Sequence, residues 1–161
     1  MTSPIPLVSA DQIIGSTFLK LEYVEHDLAG LLHQSEFLLL PEHIKSLAKQ
    51  LCEGLLYIHS RSVLHRDLKT ANLLVTSQGT LKIGDFGLAR YFNRRKKLDY
   101  TNRVCTYWYR APELMLGETV YGPEIDMWGA GYVIFLLRVS LLNGLQVHIH
   151  GTILEETAFL R

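Results

Sequence analysis

The clearest pattern along the chain is a set of apolar residues at three- and four-residue steps. Ile44, Leu47, Ala48, Leu51, Leu55 and Ile58 share one face of a predicted helix of about five turns. Pro41 stands at its start, where a missing N–H costs nothing. Leu73-Leu74-Val75 and Leu81-Lys82-Ile83 flank the polar Ser77-Gln78-Gly79, which predicts a β-hairpin. Thr17 to Tyr23 alternates as a strand does, and Asp27 is placed to cap a short helix over Leu28 to His33. The apolar run Met127 to Leu142 predicts a buried core helix, weakened by Gly129 and Gly131. Arg138 breaks that run, and it falls short of the roughly 20 apolar residues a bilayer needs, so a membrane span is the minority reading. Residues 1–16, with Pro4 and Pro6, show no period and predict an irregular arm; the period also disappears between Tyr91 and Thr106. The expected fold class is mainly α with small β-hairpins.

Composition narrows the picture modestly. At 161 residues and 48% hydrophobic, the chain is long enough for one compact domain with its own core. A formal net charge of zero argues against nucleic acid as a direct partner. Cys52 and Cys105 are the only cysteines, far apart in the sequence, and favour a reduced, intracellular protein. Met1 to Ala10 has no basic cluster and no long apolar run, so no signal peptide is expected. Arg94-Arg95-Lys96-Lys97 is most simply a solvated loop face, with nuclear targeting or docking as the alternative. His148 and His150 could face one side of a strand as metal ligands, but nothing else in the tail completes a site.

The candidate chemistry lies between His65 and Glu113. His65-Arg66-Asp67-Leu68-Lys69-Thr70-Ala71-Asn72 is followed by Asp85-Phe86-Gly87 and then by Ala111-Pro112-Glu113, in the order of the protein-kinase signature set. Each string alone is short enough for chance, and each has a bland reading as a turn; three in series point to phosphoryl transfer from a Mg-nucleotide to a protein hydroxyl. Such a site must align two anionic reactants and screen their charge. Asp67 would accept or orient the proton of the acceptor hydroxyl, and Lys69 would set a cation beside the transferred group. Asn72 and Asp85 offer the oxygen ligands that Mg²⁺ prefers, and the predicted hairpin brings them side by side. Gly87 lets the backbone turn after Phe86.

From about Thr17 to Gly131 the chain resembles the cyclin-dependent kinases, and within them the transcription-elongation branch. The resemblance is carried by Glu25-His26-Asp27-Leu28-Ala29-Gly30-Leu31-Leu32, Tyr100-Thr101-Asn102-Arg103-Val104, Trp108-Tyr109-Arg110, and Tyr121-Gly122-Pro123 through Ile125-Asp126-Met127-Trp128-Gly129-Ala130-Gly131. It implies ATP and Mg²⁺ as cofactors, a cyclin partner for a full-length parent, no membrane role, and a nuclear or cytoplasmic location with the nucleus favoured. It also lends roles to matching positions. Leu21 would be the gatekeeper, the backbone of Glu22 and Val24 would bond adenine, Asp27 would sit at the ribose edge, and Leu74 would floor the adenine pocket. Thr106 would bond Asp67 and Lys69, and Asp126 would brace the catalytic loop. Thr101 matches an activating phosphorylation site, with Arg66 and Arg90 as two of its three arginines. Arg110 would hold the carbonyl of Cys105 away from the substrate, favouring Ser-Pro or Thr-Pro acceptors.

The departures from the family pattern are equally specific. Cys105 replaces the usual valine and Tyr107 the usual leucine. No glycine-rich loop precedes Thr17, and no Val-Ala-Ile-Lys strand supplies the phosphate-binding lysine; Lys20, next to Leu21, cannot substitute for it. After Gly131 the pattern stops, and Glu113 loses the arginine it normally pairs with. The sequence therefore divides into an arm (1–16), a partial kinase domain (17–131) and a divergent tail (132–161). It reads as a truncated protein-kinase-like fold, a C-terminal lobe without most of the N-terminal lobe, through truncation, alternative splicing or wrong exons. A serine/threonine kinase, inactive as this chain alone, is the favoured reading. A non-catalytic kinase-like binding module and a non-functional truncated product are the alternatives.

Overall fold

The computed structural model describes residues 10–13, 16–19, 21–34, 39–93, 95–96 and 98–143. Lys20, Arg94, Lys97, His148, His150 and most of the expected arm and tail lie outside the described residues.

Two strands, β1 (Ala10–Ile13) and β2 (Ser16–Leu19), pair antiparallel with Ala10 opposite Leu19. This corrects two expectations. The arm holds a strand, and the strand expected over Thr17 to Tyr23 stops at Leu19, where its partner ends; residues 21–24 carry no ladder. After them, β3 (His26–Asp27) leads into α1 (Leu28–His33). The Asp27 carboxylate accepts the amide of Gly30 at 2.8 Å, the N-cap expected from its position.

The long amphipathic helix is α2 (Pro41–Ser60), with Ile44, Leu47, Leu51 and Leu55 buried as the repeat requires. A short strand β4 (Val63–Leu64) enters the catalytic loop, and a tight helical turn, Thr70–Asn72, leaves it. The hairpin of β5 (Leu73–Val75) and β6 (Leu81–Ile83) follows, with β3 added on the far edge of β5. Helix α2 grips this hairpin. The Gln50 side chain donates to the carbonyl of Gly79 at 3.0 Å and accepts the amide of Leu81 at 2.9 Å. A Cβ at Gly54 would stand 2.9 Å from Ile83 Cδ1, so only glycine permits this approach without displacement.

Strand β7 (Arg90–Tyr91) returns to pair with β4, tying the start of the segment between the Asp85-Phe86-Gly87 and Ala111-Pro112-Glu113 motifs, here called the activation segment, to the loop that begins at His65. Short α3 (Pro112–Met115) precedes α4 (Glu124–Asn143), the helix expected from the apolar run. One face of α4 packs into the main core through Ala130, Val133, Leu136 and Leu137. A second cluster, including Leu64, Val104, Ala111 and Ile125, sits beneath the activation segment. Among the described residues, no helix is long and apolar enough to cross a membrane.

Candidate active site

The catalytic loop is held from below by one carboxylate. Asp126, in the first turn of α4 and 1% exposed, accepts the backbone amides of His65 and Arg66, each at 2.8 Å, and the ring Nε2 of His59 at the same distance. A helix N-terminus favours such an anion. Gly129, one turn further on, lets α4 reach the loop, since a Cβ there would lie 3.1 Å from Leu68 Cβ. His65, fully buried, locks the loop from the other side. Its Nε2 lies 2.8 Å from the carbonyl of Gly84, and its Nδ1 accepts the amide of Asp67 at 3.3 Å, which places the ring proton on Nε2. The Phe86 ring meets the His65 ring edge-on at 4.9 Å, so the Asp85-Phe86-Gly87 turn is seated on the catalytic loop.

Asp67 is the focus of the site. Its Oδ1 accepts the Thr106 amide at 3.0 Å and hydroxyl at 2.9 Å; its Oδ2 lies 2.9 Å from Lys69 Nζ and accepts Asn72 Nδ2 at 3.1 Å. Lys69 Nζ also donates to Thr106 Oγ1 at 3.2 Å. Burial alone would raise the Asp67 pKa, but hydrogen bonds from Lys69 and Thr106, with the charge of Lys69, outweigh it and hold the carboxyl below its ordinary value. Asp67 is thus a buried, ionised acceptor.

Asn72 gives a second amide hydrogen bond to the carbonyl of Asp67 at 2.8 Å. With Nδ2 committed twice, the amide can turn only its Oδ1 outward, as a cation ligand requires. Gly84 donates to the carbonyl of Asn72 at 2.8 Å, which closes the hairpin and sets Asp85 one residue beyond. Asp85 is exposed and accepts from the amide of Gly87 at 3.2 Å. One oxygen donor from the buried Asn72 and one from the exposed Asp85 fit Mg²⁺, which keeps waters and phosphate oxygens as its remaining ligands. Among the described residues no cluster of three His, Cys, Asp or Glu could hold a metal by itself.

Of the residues expected around adenine, Asp27, Leu74 and Glu22 are brought to one edge. Asp27 pairs in register with Leu74, and Lys82, on the other side of Leu74, makes an ion pair with Glu22. The backbones of Glu22 and Val24 take part in no hydrogen bond among the described residues. Leu21 is 70% exposed, and this edge lies open.

In the activation segment, Arg110 donates to the carbonyls of Val104 and Cys105, each at 3.0 Å. Cys105 has φ 63°, a left-handed conformation that costs a non-glycine residue about 1–3 kcal/mol; Arg66 (φ 68°) and Asp85 (φ 54°) share it. The side chain of Arg66 is buried, donating to the carbonyl of Leu88 at 2.7 Å and to the Tyr121 hydroxyl at 2.9 Å. That hydroxyl in turn donates to the carbonyl of Thr101, so Arg66 stands one side chain away from Thr101. Arg90 is exposed and donates to its neighbour Ala89. The parts played by His59, by the two ring nitrogens of His65 and by Tyr121 were not anticipated from sequence. No motif or period marks His59 or Tyr121 as a partner, because their contacts close over long sequence separations.

Cyclin-dependent kinase 9 of Homo sapiens is 52% identical over 122 residues, which cover 74% of this chain and 33% of that protein. The CTD kinase subunit alpha of Schizosaccharomyces pombe is 48% identical over 122 residues, covering 76% and 21% respectively. The crystal structure of the yeast RNA Pol II CTD kinase CTDK-1 complex contains a chain similar at a TM-score of 0.74 and 42% identity, covering 91% of this chain and 47% of that one. The chain spans about a third of the length of the first of these curated relatives. The protein kinase domain family matches residues 8–148. The chain therefore belongs to the protein kinase domain family.

Proposed function

We propose that this chain carries the acceptor half of a serine/threonine protein kinase of cyclin-dependent type, transferring phosphate from ATP to Ser-Pro or Thr-Pro sites in transcription or cell-cycle control. The observation that carries the reading is the Asp67 carboxylate, buried, ionised and braced by Lys69, Thr106 and Asn72. An acceptor hydroxyl beside Asp67 would find a proton acceptor already oriented, with the Lys69 ammonium next to it for the transferred group. Bound Mg-ATP supplies the phosphoryl group and the cation that screens it; Asn72 and Asp85 would hold the metal, and Glu22, Val24, Asp27 and Leu74 the nucleoside. Arg110 turns the Cys105 carbonyl away from the acceptor, so an amide following the acceptor finds no partner and a proline loses nothing. Thr101 is the proposed regulatory phosphosite, with Arg66 and Arg90 as its cationic neighbours. A cyclin is the proposed partner of a longer parent and the nucleus its favoured location, in keeping with the relatives named as CTD kinases.

The 161 residues alone are proposed to be inactive. The Val-Ala-Ile-Lys string is absent from them, and Leu21 and Glu22 lie open to water. Losing one preorganised charge-stabilising group costs about 10²- to 10³-fold in rate, and loss of positioning adds to this. The same exposure favours, as a second reading, a non-catalytic module that keeps the kinase surface. A graft separates the two. Residues 17–131 placed into the matching segment of cyclin-dependent kinase 9 should sustain transfer to a Ser-Pro peptide with its cyclin, and Asp67→Ala in the graft should abolish it. The isolated chain should show no transfer. A folded graft without activity would sink the kinase reading.

A further inference from the structure

Away from the catalytic cluster, a cavity of about 440 Å³ opens between the end of α2, the loop after β7 and the turn that leads into α4. This volume lies within the roughly 300–1,000 Å³ of small-molecule sites. None of the residues expected to bind nucleotide, metal or acceptor lines it. Its walls are aromatic and aliphatic, with Phe92, Tyr100 and Tyr121 beside Leu98 and Val120. The Tyr100 and Tyr121 rings lie 5.2 Å apart, and Phe92 meets the His59 ring edge-on at 6.4 Å. Both tyrosine hydroxyls are spent elsewhere, donating to the carbonyls of Tyr91 at 3.1 Å and Thr101 at 2.5 Å. What they leave to a ligand is therefore their rings.

Four polar side chains complete the lining: His59, Asn93, Lys96 and Glu124. His59 Nε2 is held by Asp126 at 2.8 Å. Asn93 Oδ1 accepts the amides of Arg95 at 2.8 Å and Lys96 at 3.2 Å, which leaves its NH2 group to donate. Glu124 accepts the Gly122 amide at 2.6 Å and lies in the first turn of α4, and both offset its negative charge. The exposed Lys96 makes no ion pair among the described residues, and Arg95 beside it is exposed as well. Unspent donors at one rim and aromatic faces within suit a flat apolar ligand that carries an anion. We propose that this cavity is a binding site for a small aromatic carboxylate, with its ring against Phe92, Tyr100 and Tyr121 and its anion at Lys96. A ring seated there braces Tyr121, whose hydroxyl joins Arg66 to the carbonyl of Thr101.

The test is an NMR titration of the 161-residue chain with naphthoate, naphthamide and naphthylmethylamine, probes of one shape and different charge. Naphthoate should bind saturably and about two- to fivefold more tightly than naphthamide, the worth of one exposed ion pair, with the amine weakest. The shifts should centre on the methyls of Leu98 and Val120. The Tyr100 amide, which donates to the carbonyl of Thr119 at 2.8 Å, should exchange with solvent more slowly when the probe is bound. Lys96→Glu, at an exposed position, should reverse the order in favour of the amine. Val120→Trp should fill the cavity and abolish binding of all three. Equal affinity for the three probes, shifts centred on the exposed Phe135, or binding that survives Val120→Trp would overturn the site, as would the absence of saturable binding.

Discussion

A carboxylate as buried as Asp67 would ordinarily hold its proton more tightly than one in water. Here Lys69 and Thr106 reverse that tendency, so Lys69→Met should raise the Asp67 pKa by leaving burial less opposed. A carbon-detected pH titration of the Asp67 carboxyl, native against variant, checks this, and an unchanged midpoint would refute the electrostatic account. In the native chain the folded pKa lies below the ordinary aspartate value of 3.8. Asp67 therefore contributes stability above that value, and the contribution fades only as pH falls further, through the folded pKa. A large shift is found at Cys105, whose thiol is pushed up to about 12, by burial first and then by the carboxylates of Asp126 and Asp67. It should stay a thiol at neutral pH. Iodoacetamide should label the exposed Cys52 in the native chain and reach Cys105 only after urea unfolding. Equal labelling of both in the native state would contradict the burial of Cys105.

Among the elements, α4 makes the sharpest test of local argument, because its two glycines have different surroundings. A Cβ at Gly131 meets nothing within 4 Å, whereas one at Gly129 presses on Leu68. Gly131→Ala should therefore stabilise the chain by about 0.5–1 kcal/mol, read from its urea midpoint. Gly129→Ala should give less than that, or destabilise. From sequence, both glycines simply weakened the helix. Long elements were legible for a plain reason: the repeat from Ile44 to Ile58 and the run after Asp126 sum many weak preferences. The hairpin was legible from its turn residues, and Asp67, Lys69, Asn72 and Asp85 from motif order. Two-residue strands such as Val63–Leu64 and Arg90–Tyr91 carry no period, and their pairing is decided by tertiary contact alone. The same holds for the left-handed backbone at Arg66, Asp85 and Cys105, none of which is glycine. The surrounding hydrogen bonds hold those conformations against local preference, which a reading of residue types cannot see.

At the scale of the whole molecule, α4 is apolar on more sides than the described residues cover. Met127, Trp128 and Phe135 are 48%, 51% and 55% exposed along one stripe, opposite the buried Val133 and Leu137. An uncovered patch of this kind favours association between copies. Phe135→Glu should raise the soluble, monomeric fraction of the 161-residue chain, measured by light scattering after gel filtration. No change in that fraction would mean that another surface governs association. The clamp at Asp126 has a different consequence, in time rather than in space. The carboxylate that fixes the amides of His65 and Arg66 lies 61 and 60 residues further along the chain. During synthesis at about 5–20 residues per second, it emerges roughly 3 to 12 seconds after the loop it organises. Until then the nascent loop has its catalytic residues but lacks the carboxylate that fixes its amides, and the clamp closes only when the ribosome has delivered the start of α4.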